Sequence, residues 1–153
     1  MNPFVVEPVA VVRSTRTEAV DDHWDAERTQ IELVAPWGPE SLEGLSEFSH
    51  VVVVYLFHLV DPLRPLAQRR HLRGRSDWPE VGIFAQRARD RPNRIGVSTA
   101  RIIGIDGSTV HVSGLDAVDG TPVLDLKPYL PGFDARGPIR QPGWSIELMR
   151  DYF

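Results

Sequence analysis

The longest purely apolar stretch of the chain, residues 51–57, has only seven residues, and this limits what the chain can fold into. A helix that crosses a membrane needs about 20 such residues, so the sequence predicts no membrane span. The stretch is short and rich in valine, which favours a buried strand over a helix. With 42% hydrophobic and 25% charged residues among 153, the chain is expected to fold around a buried core.

Short segments with the composition of β-strands recur along the chain. Besides residues 51–57 they are residues 9–14, 30–33, 81–85, 95–105, 108–115 and 122–126. Asp106-Gly107, which separates two of them, is the favoured two-residue turn of a hairpin. Helical character is confined to one or two turns at residues 39–45 and 146–150. About seven short strands with few helices predict a mostly β fold, a small mixed, mainly antiparallel β-barrel, because closure removes exposed strand edges.

The charges are distributed unevenly along the chain, although the net charge is only −4. Residues 15–61 hold ten acidic residues and two arginines, whereas residues 64–94 hold nine arginines and three acidic residues. A basic stretch of this kind can bind phosphates, as in an RNA-binding module. The alternative is a solvated loop, and residues 61–79, with three prolines and a glycine, do read as a long loop.

Several classes of chemistry are excluded by residues that the chain lacks. Without cysteine there are no disulfides, thiolate metal sites or thiol nucleophiles. The sequence has no Gly-x-Gly-x-x-Gly, phosphate-loop, Gly-x-Ser-x-Gly or His-Glu-x-x-His motif, which disfavours a Rossmann-type nucleotide enzyme. The five histidines lack paired metal-ligand spacing, so no metal site is expected. Residues 1–7 do not read as a signal peptide, and a cytoplasmic protein is the default expectation.

One polar stretch runs from a predicted strand at Ile83 to Ser98 and contains Arg87, Arg91, Asn93 and Gly96. Arginine offers a planar fork to a carboxylate or phosphate, and asparagine both donates and accepts hydrogen bonds. Gly96 permits close approach to the backbone. The set suits a zwitterionic or nucleotide ligand; the alternative is a surface loop whose arginines pair with Asp90.

A second polar stretch covers residues 115–129. Asp116 and Asp119 can accept hydrogen bonds from ribose hydroxyls, although the residues from Asp119 onward also read as a plain turn. Asp125 and Lys127 lie two residues apart and share one face of a predicted strand. They form either a structural ion pair or a catalytic pair.

Together these two stretches resemble the TsaA-like (TrmO-like) family, which includes the tRNA threonylcarbamoyladenosine methyltransferases. The residues that carry the likeness are Gly82-Ile83-Phe84-Ala85, Arg87, Arg91-Pro92-Asn93, Ile95-Gly96, Leu115-Asp116, Asp119-Gly120-Thr121-Pro122 and Asp125-Leu126-Lys127-Pro128-Tyr129. The resemblance implies a single methyltransferase domain over residues 1–153, with a core of about residues 9–131 and a C-terminal tail over residues 132–153.

The resemblance also implies S-adenosylmethionine as the cofactor and a homodimer as the assembly. The residues that it places at the cofactor are His58, Leu59, Arg87, Arg91, Asn93, Gly96, Val97, Leu115, Asp116, Ala117 and Val118. Asp125 and Lys127 would be catalytic, Asp125 as a base, with Tyr129 beside them near the acceptor. The implied reaction is methylation of the threonylcarbamoyl-adenosine of tRNA.

Where this family carries a Pro-Arg-Gln loop after the first strand, residues 17–25 of this chain are acidic. An acidic loop repels phosphates and favours a cationic or neutral acceptor. A methyltransferase of a small molecule, or a sensor that binds S-adenosylmethionine without turnover, are therefore the alternatives to a tRNA methyltransferase.

Overall fold

A computed structural model describes residues 2–153, which contain eight strands and one α-helix. The strands are β1 (Ala10–Arg13), β2 (Arg28–Leu33), β3 (His50–Leu56), β4 (Arg69–His71), β5 (Glu80–Gly82), β6 (Ile95–Asp106), β7 (Thr109–Ser113) and β8 (Pro122–Pro128), and the helix is α1 (Gly143–Leu148). Short 3-10 turns lie at Pro39–Leu42, Leu45–Glu47, Leu72–Gly74, Ile83–Ala85, Pro92–Arg94 and Pro131–Phe133. No helix within residues 2–153 is long and apolar enough to cross a bilayer.

Six of the strands close into a barrel in the order β1, β2, β7, β6, β3, β8. Every pair of neighbouring strands in it is antiparallel, and β1 closes the ring against β8 through Ala10 and Val123. This confirms the small, mainly antiparallel β-barrel. Strands β4 and β5 pair only with each other, as a separate ribbon beside the barrel.

The barrel interior is filled by side chains from alternate positions of the strands. Along β3 the residues Val51, Val53 and Tyr55 point inward and are fully buried, while Val52 and Val54 are half-buried on the outer face. The predicted buried strand over residues 51–57 is therefore confirmed, with one face of it in the core. Side chains that complete the core come from the other barrel strands, the β7–β8 connection and one 3-10 turn: Ala10, Val12, Ile31, Leu42, Ala100, Val110, Val112, Leu115, Ala117 and Val123. A small barrel of this kind is a packed core and not a channel.

The predicted hairpin is present as β6 and β7, but its two-residue turn is Gly107-Ser108, one residue later than predicted. Asp106 pairs with Thr109, and Gly107 has a φ of 54°, the left-handed conformation that glycine adopts without strain. The predicted strand over residues 81–85 is wrong at its second half, because Ile83–Ala85 form a 3-10 turn. The partner strand β4 has only three residues, so the ladder ends at Gly82.

The chain after β8 returns to the barrel through a segment that we call the tail segment, residues 143–153. It begins with α1 and is fixed at its end by two backbone hydrogen bonds. The amide of His23 donates to the carbonyl oxygen of Asp151, and the amide of Trp24 donates to that of Tyr152, each over 2.9 Å. The tail segment therefore lies against the loop that connects β1 and β2.

Candidate functional site

The two polar stretches that the sequence predicts at a ligand meet at Asp116. Its Oδ1 accepts hydrogen bonds from the Ser98 hydroxyl and, over 2.9 Å, from the Tyr55 hydroxyl. Ser98 follows Gly96 and Val97 on β6, whereas Asp116 lies in the connection from β7 to β8. Tyr55 joins them from β3, the strand next to β6 in the barrel. Residues that are distant in sequence are thus brought to one carboxylate.

The second oxygen of Asp116 is held by the tail segment. The Tyr152 hydroxyl donates to Oδ2 over 2.7 Å, so one half-buried carboxylate accepts three hydroxyl hydrogen bonds. Burial and the negative charge of Asp116 both raise the pKa of the Tyr55 hydroxyl, and the same two causes raise the pKa of Tyr152. Both tyrosines therefore remain protonated donors at neutral pH.

Sequence reasoning missed three of these four residues. The sequence could have indicated Tyr55, because it carries the only hydroxyl group within the apolar residues 51–57. Nothing in the sequence marks Ser98 or Tyr152 as a site residue, since a serine on a strand and a tyrosine in a C-terminal segment commonly lie on a protein surface.

Gly96 lies directly opposite Tyr55 in the ladder between β3 and β6. A Cβ atom at this position would lie 2.5 Å from the Tyr55 ring and 3.0 Å from the Phe57 ring. The two rings pack edge to face with their centroids 5.3 Å apart. The close approach expected at Gly96 is therefore made by an aromatic side chain of the protein, and a role in cofactor binding stays a prediction.

His58 packs against the turn that contains Asp119, Gly120 and Thr121. Its Nδ1 lies 3.3 Å from the Thr121 hydroxyl oxygen, and burial lowers the pKa of the imidazole against an opposing effect of Asp119. The Asp119 carboxylate accepts a hydrogen bond from the Ser14 amide over 3.0 Å. Asp119 thus ties the end of β1 to this turn, which supports the turn interpretation over a ribose contact at that residue.

The arginines of residues 64–94 fall into two groups. Those of the first part form ion pairs, for example Arg70 with Asp90 over 3.3 Å and Arg73 with Asp22 over 2.7 Å. Among residues 2–153, none of the four arginines of the second part has a carboxylate within 4.0 Å. They are Arg87, Arg89, Arg91 and Arg94, and each donates instead to a backbone carbonyl, of Val97, Ala19, Gln86 and Val60 respectively.

The alternative of a surface loop whose arginines pair with Asp90 therefore applies to only some of the arginines. Asp90 is engaged by Arg64 and Arg70, which leaves the positive charge of Arg87 and Arg91 uncompensated by a neighbouring carboxylate. A guanidinium in this state can pair with the carboxylate or phosphate of a ligand. Asn93, in the same loop, adopts a φ of 61°, which asparagine tolerates better than most residues.

The other residues predicted at the cofactor differ in accessibility. Leu59 and Val97 are exposed, whereas Leu115, Ala117 and Val118 are buried. In the connection from β7 to β8, the Asp116 side chain is thus half-buried while its apolar neighbours are enclosed.

Asp125 and Lys127 form an ion pair with each other on the outer face of β8. Their side chains are 45% and 63% exposed, so the pair contributes roughly 0–1 kcal/mol to stability. Asp125 is opposite Val54, which in turn is opposite Val97. The two residues predicted as catalytic share this outer face with Val97, while Tyr55, which contacts Asp116, points into the barrel.

Of two cavities formed by residues 2–153, only the smaller is lined by residues predicted at the cofactor. One of about 270 Å³ lies under the tail segment, between it and the loops of residues 22 and 73–78. Another of about 80 Å³ lies beside Arg91, Asn93 and Arg94. Both are smaller than the roughly 300–1,000 Å³ that is usual for small-ligand sites.

Comparison with known proteins identifies the family and the relatives that this chain resembles. The family model described as the tRNA-methyltransferase O N-terminal domain matches residues 19–135. A Pyrococcus abyssi protein, provisionally named an S-adenosyl-L-methionine-binding protein, is 36% identical over 161 residues, covering 94% of this chain and 80% of its own. The Escherichia coli tRNA (adenine(37)-N6)-methyltransferase is 34% identical over 143 residues, covering 86% of this chain and 60% of its own.

A solved structure of TrmO from Pseudomonas aeruginosa superposes with a TM-score of 0.75 at 36% sequence identity, covering 91% of this chain and 61% of that one. A Pseudomonas aeruginosa relative provisionally named an S-adenosylmethionine-dependent methyltransferase is 41% identical over 132 residues. This chain spans 56% of the length of that relative.

Proposed function

The chain belongs to the family of the tRNA-methyltransferase O N-terminal domain, and from that membership we propose that it binds S-adenosylmethionine and transfers the methyl group to an acceptor. One observation carries the proposal. The Ser98 and Asp116 side chains join the two stretches whose residues resemble the family, so that both contribute to a single place in the fold.

The residues at that place fit the chemistry of S-adenosylmethionine. Its ribose hydroxyls need acceptors, which Asp116 offers, and its carboxylate needs a cation, which Arg87 or Arg91 offers without a competing carboxylate. Its adenine ring needs apolar surface, which the exposed side chains of Leu59 and Val97 provide.

When bound, the cofactor supplies a methyl group on a sulfonium sulfur that is open to in-line displacement. The protein contributes by positioning, with Asp116 and the arginines holding the two ends of the ligand. An acceptor nitrogen would lose a proton to Asp125, the proposed base, as its bond to the methyl carbon forms and the bond from that carbon to sulfur breaks, leaving a neutral thioether. Lys127 pairs with Asp125 and orients its carboxylate.

For the acceptor we propose the adenine-37 region of tRNA, the substrate in the name of the Escherichia coli relative. The four arginines without carboxylate partners, Arg87, Arg89, Arg91 and Arg94, support it, because they provide positive charge for the phosphate backbone. A tRNA substrate would place the protein in the cytoplasm.

A small-molecule acceptor is the alternative. It is supported by the acidic residues 17–25, which Arg89 contacts through the carbonyl oxygen of Ala19.

We further propose that the chain acts as a homodimer. Several large apolar side chains near the proposed site are exposed, among them Leu59, Phe84, Ile95 and Val97. Clusters of exposed apolar residues mark interaction surfaces more often than isolated ones do. Sedimentation velocity across a range of protein concentrations tests this, and a monomer at 100-fold above the working concentration would contradict it.

A protein that binds the cofactor without turnover is the second candidate function. It is favoured by the Asp125–Lys127 pair, since the proposed base is already engaged by a neighbouring ammonium on an exposed face. In this case the Pyrococcus abyssi relative, named for binding, is the better model.

Two measurements separate these functions. Calorimetric titration with S-adenosylmethionine tests binding, with Arg87→Gln and Arg91→Gln as site variants and Arg69→Gln as the matched control. Arg69 pairs with Glu80 within the ribbon of β4 and β5. Transfer of radiolabelled methyl to total tRNA and, in parallel, to a metabolite extract then identifies the acceptor class. Absence of binding at millimolar cofactor would contradict methyl transfer and sensing alike, whereas binding with label in neither fraction would favour the sensor.

A further inference from the structure

The two oxygens of Asp116 are held by different kinds of donor. Oδ1 is held by Tyr55 and Ser98, whose backbones belong to the paired strands β3 and β6. Oδ2 is held by Tyr152, which lies beyond the last helix in the tail segment. The donors on Oδ1 are therefore fixed by the barrel, whereas the donor on Oδ2 can leave without breaking a ladder.

Few contacts hold the tail segment against the rest of the molecule. Apart from the Tyr152 hydroxyl, its polar contacts are the two amides of His23 and Trp24 and one side-chain bond, in which Trp78 Nε1 donates to Glu147 over 2.6 Å. Most of its residues are exposed, Ile146 and Met149 among them. A segment with little buried apolar surface opens at low free-energy cost.

The position of the tail segment also explains the size of the cavity beneath it. Glu147, Leu148, Arg150 and Asp151 form one wall of the cavity of about 270 Å³. Movement of the tail segment away from the barrel would remove that wall, and it would also release Asp116 Oδ2, which does not itself line the cavity. One displacement would thus free the hydrogen-bond acceptor that a nucleoside ligand requires.

We propose that the tail segment is an intramolecular competitor of the cofactor, in which the Tyr152 hydroxyl occupies the oxygen of Asp116 that otherwise accepts a ribose hydroxyl. This inference rests on the proposed function, because it concerns the same carboxylate. Tyr55 and Ser98 are positioning residues that orient Asp116 in both states. The closed form is the one in which Tyr152 donates to Oδ2, and the open form is the one that binds the cofactor.

The consequence for affinity follows from the populations of the two forms. When only a fraction of the molecules is open, the apparent Kd is the intrinsic Kd divided by that fraction. A variant that weakens the closed form therefore binds more tightly, although it adds no contact to the ligand. Loss of the Tyr152 hydrogen bond is expected to lower the apparent Kd about three- to ten-fold.

The experiment is calorimetric titration of the full chain with S-adenosylmethionine. Tyr152→Phe removes the hydroxyl and keeps the ring, and Glu147→Ala weakens the tail segment at Trp78, away from Asp116. Both variants are expected to bind more tightly than the wild type. Ser145→Ala is the matched control, because its hydroxyl bonds only to the Pro142 carbonyl within the same region, and its Kd is expected to remain unchanged. In an Asp116→Asn background, Tyr152→Phe is expected to have no further effect.

Hydrogen exchange supplies a readout that does not depend on activity. The amides of His23 and Trp24 are protected by the tail segment, so S-adenosylmethionine is expected to speed their exchange. Tyr152→Phe is expected to speed it without any ligand.

Three results would overturn the proposal in distinguishable ways. If the cofactor binds but slows exchange at His23 and Trp24, the tail segment is a wall of the occupied site and not a competitor. If Tyr152→Phe binds equally or more weakly, the hydroxyl does not compete, while the proposed function stands. If no variant binds the cofactor although the two amides are protected, the proposed function itself fails and the competition with it.

Discussion

Gly96 on β6 faces Tyr55 on β3, and the Tyr55 ring occupies the space that a Cβ atom at position 96 would need. The ring can reach its place only because residue 96 has no side chain. From there its hydroxyl donates to Asp116, so the absence of one methyl group on one strand determines the geometry of a carboxylate on another segment.

The first prediction concerns this packing. Gly96→Ala places a methyl group 2.5 Å from the buried ring and is expected to lower the free energy of unfolding by about 1–3 kcal/mol, the usual cost of overpacking a core. Gly104→Ala, on the same strand with no atom within 4 Å of the added Cβ, is the matched control. Urea unfolding followed by fluorescence measures both. Equal unfolding midpoints for the two variants would contradict the steric argument.

The hydroxyls on Asp116 Oδ1 provide the second prediction. Tyr55→Phe and Ser98→Ala each remove a donor from the same half-buried oxygen, and each is expected to cost about 1–3 kcal/mol of unfolding free energy. Because the two donors share one acceptor, the double variant is expected to deviate from the sum of the single effects. A double-variant cycle in urea measures the deviation. Additive effects would mean that the two hydroxyls act independently of Asp116.

A third prediction follows from the lowered pKa of His58. Burial disfavours the charged imidazole in the folded state, so the unfolded chain binds the proton more readily. Stability contributed by the neutral ring is present above the unfolded pKa of about 6.5 and is lost as pH falls below it. The decrease in Tm between pH 7.5 and 5.5 is therefore expected to be smaller in His58→Asn than in the wild type. An identical decrease in both proteins would show that His58 does not contribute.

The Asp125–Lys127 pair gives the fourth prediction. Because both side chains are largely exposed, Asp125→Ala and Lys127→Ala are expected to change the free energy of unfolding by at most about 1 kcal/mol. If Asp125 is the base, its variant loses methyl transfer while the Kd for S-adenosylmethionine is unchanged. Single-turnover transfer and calorimetry, done on the same preparations, test this. Unaltered transfer by Asp125→Ala would remove Asp125 from the mechanism.

The fifth prediction concerns the two arginine groups. Arg87→Gln and Arg91→Gln are expected to weaken S-adenosylmethionine binding about 10-fold or more, the usual loss of a charge-assisted hydrogen bond. Arg69→Gln, whose partner is Glu80 within the ribbon of β4 and β5, is expected to leave the Kd unchanged. If all three variants weaken binding alike, the effect is the net charge of the protein and not a specific contact.

Much of the fold was predictable because its signals are local. The alternation and β-branching of residues 9–14, 30–33 and 122–126 correspond to β1, β2 and β8, and Asp106-Gly107 marks the hairpin of β6 and β7. Strand β4 was missed, since it lies within the residues predicted as a long loop and a strand of three residues carries little pattern. The end of β5 at Gly82 depends on the length of its partner, which no local signal reports.

The sequence by itself determined that this chain forms a small barrel of the TsaA-like kind, because strand periodicity, turn residues and two motif stretches are written in consecutive positions. Only the tertiary structure decided how the two stretches meet. The carboxylate of Asp116 lies between the hydroxyls of Tyr55 on β3, Ser98 on β6 and Tyr152 in the tail segment. These residues are 61, 18 and 36 positions away from it in sequence. Hydrogen bonds between such distant residues depend on the closure of the barrel and on the return of the chain after β8, which no stretch of sequence specifies on its own.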